Sequence, residues 1–215
     1  DRERQASMIL IGQYDSSFTR RIGIALTLYG LPFEHRPWSI FGDADKLRPF
    51  NPLLRVPTLV LEDGTVLVEV FPILDHLDRQ VPVARRLFPE DGPARTAAMR
   101  IAALSSGLAD MMVVLFYLIH LQREPSALLV ERRTAQIRDT LALLERECAA
   151  LPGTYWSGSN IGHADIAVAA TLTHLGAALP EIANLRAFPA LSRFTAALEA
   201  LPVFKAIAQS FIPPA

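Results

Sequence analysis

The hydrophobic positions in the first part of the chain form short runs that alternate with helical spacing. Residues 8–11 are a run of apolar side chains that ends at Gly12, which predicts a buried strand. Over residues 18–29 the apolar side chains recur every three or four positions, which predicts a helix. Residues 33–38 predict a second strand. Pro37 favours a sheet edge for it, because proline cannot donate to a ladder of backbone hydrogen bonds.

The next two apolar runs flank an Asp-Gly pair and predict a β-hairpin. Residues 56–61 precede Asp63-Gly64 and residues 65–68 follow it, and this pair between apolar runs is a strong hairpin signal. A short helix is predicted over residues 43–48 and a longer one over residues 70–79. The order of strand, helix, strand, helix, hairpin and helix is typical of a small α/β domain.

The strand signals end at about residue 83. Residues 84–93 contain two prolines, a glycine and mixed charges, which is typical of a linker. The rest of the sequence has helical periodicity interrupted by prolines, and it predicts five helices near 94–121, 126–150, 163–178, 188–200 and 202–210. The predicted fold class is therefore an α/β domain at 8–83 followed by an all-α domain at 94–211, and the polar residues 1–7 belong to neither.

Charge and hydropathy argue against nucleic acid and membrane partners. The first 83 residues hold 9 basic and 11 acidic side chains, and the remainder holds 12 and 11. Neither part therefore has the basic surface that binds nucleic acid. The longest unbroken apolar run, residues 111–119, has nine residues, which is half of what a membrane-spanning helix needs. With 51% hydrophobic and 20% charged residues, we expect a soluble globular protein.

Cysteine and histidine usage argues against metal and disulfide chemistry. Cys148 is the single cysteine, so an internal disulfide, a CxxC redox centre and a multi-cysteine metal site are excluded. We expect it to be a small buried hydrophobe. His120, His163 and His174 share no helix face with suitably spaced carboxylates, so we expect structural roles for them. No charged-then-apolar leader opens the sequence, which predicts a cytoplasmic protein acting on small molecules or proteins.

Three segments could carry chemistry, and each has a simpler structural interpretation. Residues 14–17 lie between the first strand and the first helix, where hydroxyls and a helix N-terminus could hold an anion. Alternatively, one of the two serines merely caps the helix. A cis bond between Val56 and Pro57 would expose backbone groups to an extended peptide, whereas a trans bond would be an ordinary strand start. Glu69 precedes a helix N-terminus that suits a carboxylate, or it caps that helix itself.

Together these segments resemble the glutathione S-transferase family, and the resemblance covers nearly the whole chain. Residues 14–22 (YDSSFTRRI) look like the Ser-Pro-Phe-x-x-Arg-Val segment of its serine-type classes. Residues 51–59 (NPLLRVPTL) look like the Asn-Pro…Val-Pro-x-Leu segment, in which the proline is cis. Residues 69–73 (EVFPI) match the Glu-Ser-x-Ala-Ile glutathione motif, and residues 162–166 (GHADI) match the Ser-x-Ala-Asp-Ile capping box of the helical domain.

The chain departs from the family pattern at four positions. Ser17 replaces the proline, Gly162 takes the cap position, and Val70 and Pro72 replace serine and alanine in the glutathione motif. Glycine is an acceptable N-cap, so the helix after Gly162 is expected to form. Valine cannot donate a side-chain hydrogen bond, so we expect weakened but not abolished glutathione binding.

The resemblance implies a thioredoxin-like domain followed by the helical domain of the family. It further implies a homodimeric, cytoplasmic detoxification enzyme that conjugates glutathione, its co-substrate, to small electrophiles without a metal. Two alternatives stay open: a glutathione-dependent isomerase or peroxidase, and a non-catalytic binding module. Ser16 and Glu69 favour an enzyme, whereas Val70 favours the module.

The resemblance places Ser16 at the glutathione sulfur, with Tyr14 as the second candidate and Ser17 as the third. A thiol with a pKa near 8.5 must lose about two units to be mostly ionised at neutral pH, which corresponds to about 2.7 kcal/mol. A hydrogen bond to the charged sulfur contributes about 1.5–3 kcal/mol and a helix N-terminus about 0.3–1 kcal/mol. These two sources suffice without a metal or a general base.

The resemblance also implies contacts for the remaining groups of glutathione. Val56, beside the cis Pro57, would pair with the cysteinyl backbone, and Arg55 would meet the glycyl carboxylate. Glu69 would hold the γ-glutamyl ammonium group, and the backbone N–H of Val70 would hold the γ-glutamyl carboxylate.

A helix in the second domain of this family lines the pocket for the second substrate. The residues implied for that pocket are Asp110, Met111, Met112 and Leu115. Alternatively, these side chains pack in the core or in a dimer interface. The electrophile is not specified, because this pocket is built from variable side chains.

Overall fold

The computed structural model describes residues 7–214, so all but one of the polar residues 1–7 lie outside the described part. The described chain forms two compact units. Residues 7–87 together with 202–214 are called the N-terminal unit below, and Phe88–Leu201 is called the helical unit.

A four-stranded mixed sheet lies at the centre of the N-terminal unit. Its strands are β1 (Met8–Ile11), β2 (Phe33–Arg36), β3 (Thr58–Val60) and β4 (Val66–Val68), in the order β2-β1-β3-β4. β1 runs parallel to β2, whereas β3 is antiparallel to both β1 and β4. The predicted hairpin is therefore confirmed, and so is the edge position of β2, which ends before Pro37.

Helices pack on both faces of this sheet. They are α1 (Ser17–Tyr29), α2 (Ala44–Leu47) and α3 (Val70–Arg79). α1 packs against α3 and β1, whereas Ile11 of β1 packs with Leu47 of α2 and Val60 of β3. Because neighbouring residues of a strand face opposite sides, Leu10 faces away from this second cluster and is fully buried. Two apolar layers therefore fix the position of the segments that leave the carboxyl end of β1.

The helical unit is organised around one buried helix. Its helices are α4 (Gly92–Leu121), α5 (Ala127–Ala149), α6 (His163–Ala178), α7 (Pro180–Ala183) and α8 (Pro189–Glu199). α6 packs against α4 and α8, and α5 packs against the same two helices. Twelve of the sixteen residues of α6 are buried, which identifies it as the core helix of this unit.

The start of α6 depends on an aspartate rather than on its N-cap residue. Gly162 is the N-cap and has no side-chain oxygen to accept from the first turn. The Asp165 carboxylate accepts from the backbone N–H of Gly162 and of Trp156, each at 2.8 Å. One half of the capping box is therefore intact, and the helix begins where the sequence predicts it.

Helix α4 is long and apolar enough to cross a membrane by length and composition alone. Its most apolar window has a mean hydropathy of 1.8, and 50% of that window is buried inside the protein. The helix packs against α5 and α6. A core helix of a folded domain meets the same criterion, so α4 gives no specific support for a membrane span.

The last helix, α9 (Pro202–Ala206), belongs to the N-terminal unit. The buried Arg20 side chain of α1 donates from Nε to the Ile207 carbonyl at 2.7 Å and from Nη2 to the Phe204 carbonyl at 2.9 Å. The predicted second domain at 94–211 therefore extends too far at its C-terminal end. The periodicity of 202–210 indicates a helix, but it does not indicate which unit that helix packs on.

Candidate active site in the N-terminal unit

Ser16 lies at the N-cap of α1, directly after the turn that leaves β1. Its Oγ accepts a hydrogen bond from the Thr19 N–H at 3.4 Å, and its own N–H donates to the Gln13 carbonyl at 3.2 Å. The capping interpretation is thus correct for Ser16. Capping uses the oxygen as acceptor, and within residues 7–214 the hydroxyl proton has no acceptor. The half-buried Ser16 can therefore cap its helix and donate to a ligand at the same time.

Tyr14 is held by packing on two sides. Its ring stacks on His35 of β2 with centroids 3.9 Å apart and planes 11° apart. A Cβ built on Gly23 would lie 2.8 Å from Tyr14 Cε1, so the ring lies directly on the backbone of α1. Burial raises the pKa of Tyr14 to about 12. The phenol therefore stays protonated at neutral pH, and its ring has a packing role of its own.

Ser17, the third candidate for the sulfur, is buried in the first turn of α1 with 1% of its surface exposed. It offers almost no surface to a ligand. The structure thus places the three candidate hydroxyls in three different environments, and Ser16 combines partial exposure with an available proton.

Gly12 brings the Ser16 loop close to the segment before β3. Its φ of +132° is a conformation that side chains other than glycine rarely adopt. A Cβ at this position would lie 2.5 Å from Thr19 Oγ1 and 2.8 Å from Val56 Cβ. The first turn of α1 and Val56 therefore both approach the same backbone atom, which joins two of the sequence-predicted segments.

The segment before β3 is organised by Asn51, whose hydrogen-bonding role is not predicted from the sequence. Asn51 is buried, and its Nδ2 donates to the Arg55 carbonyl at 2.9 Å and to Thr58 Oγ1 at 3.0 Å. Its Oδ1 accepts from the Leu53 N–H at 3.0 Å. The Asn-Pro pair marks a turn, and a buried amide with three partners is the physical reason for asparagine there.

The Val56–Pro57 peptide bond is cis, as predicted. Val56 is half-buried, and Pro57 is buried. Within residues 7–214 the backbone N–H and C=O of Val56 make no hydrogen bond to the protein. Both groups are therefore available to an extended ligand that pairs in the manner of a strand.

Glu69 does not cap α3 with its side chain, so the simpler interpretation of this residue is wrong. Its φ of 67° and ψ of 146° are unusual for a residue other than glycine. Its carboxylate instead lies 3.3 Å from Arg55 Nη1, and about half of each side chain is exposed. Two sequence-predicted glutathione residues thus form an ion pair, and an exposed pair of this kind contributes about 0–1 kcal/mol. A ligand can replace it at little cost.

The first turn of α3 has the features of a carboxylate site. Val70 is 5% exposed, and the first turn contains no acidic side chain. The backbone N–H groups of Val70 and Phe71 have no acceptor within residues 7–214, and Pro72 has none to offer. The Arg21 guanidinium lies 5.8 Å from the Phe71 ring, and burial lowers its pKa to about 10. Free donors, the helix dipole and a buried cation all favour an anion here.

The four residues implied for the second-substrate pocket lie on α4 in the helical unit, and the structure divides them into two pairs. Met112 and Leu115 have no exposed surface, so they are core residues and offer nothing to a ligand in this structure. Asp110 and Met111 are half-buried. Met111 Sδ lies 3.1 Å from Nη1 of Arg133 in α5.

The three histidines and the cysteine considered from the sequence have surroundings that fit structural roles. The buried His163 contacts Phe88 with ring centroids 4.5 Å apart, and His120 contacts Phe116 at 4.3 Å. Burial lowers the pKa of His174 to about 4. Burial likewise raises the pKa of Cys148 to about 11, with a smaller contribution from Glu145, so the thiol is unreactive at neutral pH. Among residues 7–214, no group of three His, Cys, Asp or Glu side chains is placed to hold a metal ion.

Two family models match the chain. Residues 10–86 match the glutathione S-transferase N-terminal domain, and residues 128–201 match the glutathione S-transferase C-terminal domain. The chain belongs to the glutathione S-transferase family. The small mixed sheet with its helices, followed by a helical domain, is the fold of that family.

Relatives that match over nearly the whole of both chains agree with this assignment. Glutathione S-transferase Z2 of Arabidopsis thaliana is 29% identical over 212 residues, which cover 94% of this chain and 90% of the relative. Maleylacetoacetate isomerase of Mus musculus is 26% identical over 209 residues, covering 92% and 90%. A glutathione S-transferase of Methylobacterium radiotolerans, solved in complex with glutathione sulfonate, is 29% identical with a TM-score of 0.85, covering 97% of this chain and 99% of the other.

Proposed function

We propose that this protein is a serine-type glutathione transferase that joins the thiolate of glutathione to a small electrophile. The observation that carries the proposal is the hydroxyl of Ser16, which is half-buried at the N-cap of α1 and whose proton has no acceptor among the described residues. A donor at a helix N-terminus favours an anion. In this reaction the anion is the sulfur of bound glutathione.

Ser16 acts by making the thiolate the favoured form. Its hydrogen bond stabilises the charged sulfur by about 1.5–3 kcal/mol, and the N-terminus of α1 adds about 0.3–1 kcal/mol. The thiol proton leaves to solvent. The thiolate then forms a bond to the electrophilic carbon, and the electron pair of the bond that breaks departs with the leaving group. Tyr14 does not replace Ser16, because its phenol is packed and its pKa is raised to about 12 by burial.

The remaining groups of glutathione have matching partners in the same unit. The free backbone groups of Val56 pair with the cysteinyl residue, and the Val70 N–H at the start of α3 binds the γ-glutamyl carboxylate. Glutathione separates the Arg55–Glu69 ion pair, because its glycyl carboxylate takes the cation and its γ-glutamyl ammonium takes the anion. Solved relatives that carry glutathione or its sulfonate support this assignment.

A glutathione-dependent isomerase is the second candidate. It is favoured by relatives from mouse, fruit fly and rat whose names give maleylacetoacetate isomerase activity, at 25–27% identity. In such a reaction the thiolate adds to the substrate and leaves again, so Ser16 serves the same purpose and glutathione is regenerated. Peroxidase chemistry and a non-catalytic binding module are the remaining alternatives.

The proposal includes a homodimer in the cytoplasm with a role in detoxification. Of the four residues implied for the second-substrate pocket, we retain Asp110 and Met111 as contacts of the electrophile, because Met112 and Leu115 have no exposed surface. Light scattering on the purified protein tests the dimer.

Calorimetry with glutathione, followed by an assay with an aryl halide, tests the proposed function directly. We expect glutathione to bind and the aryl halide to lose its halide as a thioether forms. Binding without turnover of the aryl halide, but with isomerisation of a cis unsaturated dicarbonyl compound, would favour the isomerase. Binding without either activity would favour the module, and no binding at all would overturn the proposal.

A further inference from the structure

The end of the chain returns to the loop that carries Ser16. The Tyr14 N–H donates to the side-chain Oε1 of Gln209 at 3.2 Å. The Ile212 N–H donates to the Asp15 carboxylate at 3.0 Å. These two bonds connect positions 195 and 197 residues apart. Residues 209–212, called the tail below, therefore hold both residues that immediately precede Ser16.

The segment just before the tail is held on α1 by buried hydrogen bonds. Arg20 holds the carbonyls of Phe204 and Ile207 through buried hydrogen bonds, and its guanidinium lies 5.5 Å from the centre of the Phe204 ring. A Cβ on Gly23 would lie 2.8 Å from Ile207 Cγ2, so this end of α9 lies directly on α1. The backbone just before the tail is thus fixed on the helix that Ser16 caps.

The Ser16 loop has little internal structure of its own. Over residues 13–15, the backbone hydrogen bond within the loop runs from the Ser16 N–H to the Gln13 carbonyl. The tail adds to the contacts of two loop residues: the Tyr14 ring already packs on His35, and the Asp15 carboxylate also interacts with the Ser16 backbone. A shift of this loop would move the N-cap residue, and a small misplacement of a donor weakens its hydrogen bond steeply.

We propose that the tail positions Ser16 for catalysis, with Gln209 and Asp15 as positioning residues. Gln209 fixes the Tyr14 backbone, and Asp15 is tied to the backbone of Ile212. The Ser16 hydroxyl is thereby directed at the place where the sulfur ionises. This inference rests on the proposed function, and it gives residues of the tail a part in positioning Ser16.

Ile212 provides a matched pair of variants in the full-length protein. Its side chain is 55% exposed, so Ile212→Ala removes an exposed side chain and keeps the N–H that donates to Asp15. Ile212→Pro removes the same side chain and the N–H as well. Gln209→Met keeps the length of the side chain but removes the acceptor for Tyr14.

The measurements are the pKa of the bound glutathione thiol, followed by thiolate absorbance against pH, together with kcat, KM and the melting temperature. We expect Ile212→Pro and Gln209→Met each to raise the thiol pKa and to lower kcat about three- to ten-fold, which is the range of one lost hydrogen bond. The KM for glutathione should change less than two-fold, because its other proposed contacts come from residues 55–56 and 69–70, which these variants leave unaltered. Ile212→Ala should match the unaltered protein.

Two outcomes would overturn the inference, and they are distinguishable. If the unaltered protein binds glutathione with a lowered thiol pKa, and Ile212→Pro and Gln209→Met differ from Ile212→Ala in melting temperature alone, the tail is a structural element without a positioning role. If the unaltered protein does not bind glutathione, the proposed function and the positioning role fail together.

Discussion

The N-termini of α1 and α3 both present backbone N–H groups that have no acceptor within the helix, but their N-cap residues differ in whether they bond to these groups. At α1 the N-cap residue, Ser16, accepts from the first turn with its own side chain. At α3 the N-cap residue, Glu69, makes no such bond and turns its carboxylate towards Arg55. In the first helix the N-cap side chain satisfies the Thr19 N–H and leaves one hydroxyl proton for a ligand. The second helix has no side-chain cap, and the described part of the chain gives the Val70 and Phe71 N–H groups no acceptor, so a ligand would complete the cap.

This difference separates two tasks that a helix N-terminus can perform. A capped N-terminus with a spare proton suits a small anion such as a thiolate, which needs one directed donor. An uncapped N-terminus suits a carboxylate, which accepts several backbone hydrogen bonds at once. A substitution at one of these N-termini leaves the other unchanged, so the two tasks can be tested separately.

The largest effect is expected from Ser16→Ala. Loss of the hydroxyl should raise the pKa of the thiol of bound glutathione by about one to two units. It should also lower kcat about ten- to one-hundred-fold. Ser126→Ala is the matched control, since Ser126 caps α5 and accepts from the Leu129 N–H at 3.5 Å. Both variants lose a cap worth about 1 kcal/mol. An equal loss of activity in both variants would contradict the role of Ser16.

Glu69→Gln should weaken glutathione binding about ten-fold, because an ammonium group loses its charged partner. The backbone at Glu69 keeps its shape, so the thiol pKa of bound glutathione should stay nearly unchanged. Calorimetry measures the affinity, and Glu62→Gln, in the exposed turn of the hairpin, serves as control. Unchanged affinity would remove Glu69 from the site.

Val70→Ser should tighten glutathione binding up to about ten-fold, since a serine hydroxyl can donate to the γ-glutamyl carboxylate. The same change should lower the melting temperature, because a buried apolar side chain is lost. Val81→Ser, at a buried position after α3, should lower stability without any change in affinity. No tightening in Val70→Ser, alongside poor binding by both forms, would favour the non-catalytic module.

The smallest effect is expected from Tyr14→Phe. The ring keeps its stack on His35, and the lost hydroxyl carries no charge below pH 10. Activity at neutral pH should change less than two-fold. Since burial raises the pKa of Tyr14 in the folded state from 10.0 to about 12, its contribution to stability is complete below pH 10 and is lost as the pH rises to about 12. A loss of activity larger than that of Ser16→Ala would identify a tyrosine-type site.

Local patterns predict most of the fold and part of the site. The Asp63-Gly64 turn specifies the hairpin, and the spacing of apolar residues specifies α1, α3 and α6, because these signals act between residues close in sequence. The prolines are harder to interpret. Pro180 indicates a break, yet it opens the short helix α7, where a missing N–H costs nothing.

Features that depend on distant contacts cannot be predicted in this way. The attachment of α9 to Arg20 joins residues 184 and 187 positions apart, and no local pattern encodes it. The Arg55–Glu69 pair likewise arises only when two loops meet. Sequence also leaves the choice between Ser16 and Tyr14 open. The Tyr14 ring stacks on His35 and lies against the backbone at Gly23, which favours Ser16 as the residue that contacts the sulfur.

The return of α9 to Arg20 also bears on the order in which this protein is made and folded. The strands and helices of residues 7–87 precede the helical unit in the sequence, but two buried partners of Arg20 are the carbonyls of Phe204 and Ile207, which follow it. Domains generally fold as they leave the ribosome, the first one first. Here the unit that is translated first is completed last, after the whole helical unit has been synthesised. A ribosome that stops before residue 204 releases a chain without the Phe204 and Ile207 carbonyls, which are two acceptors of the Arg20 side chain.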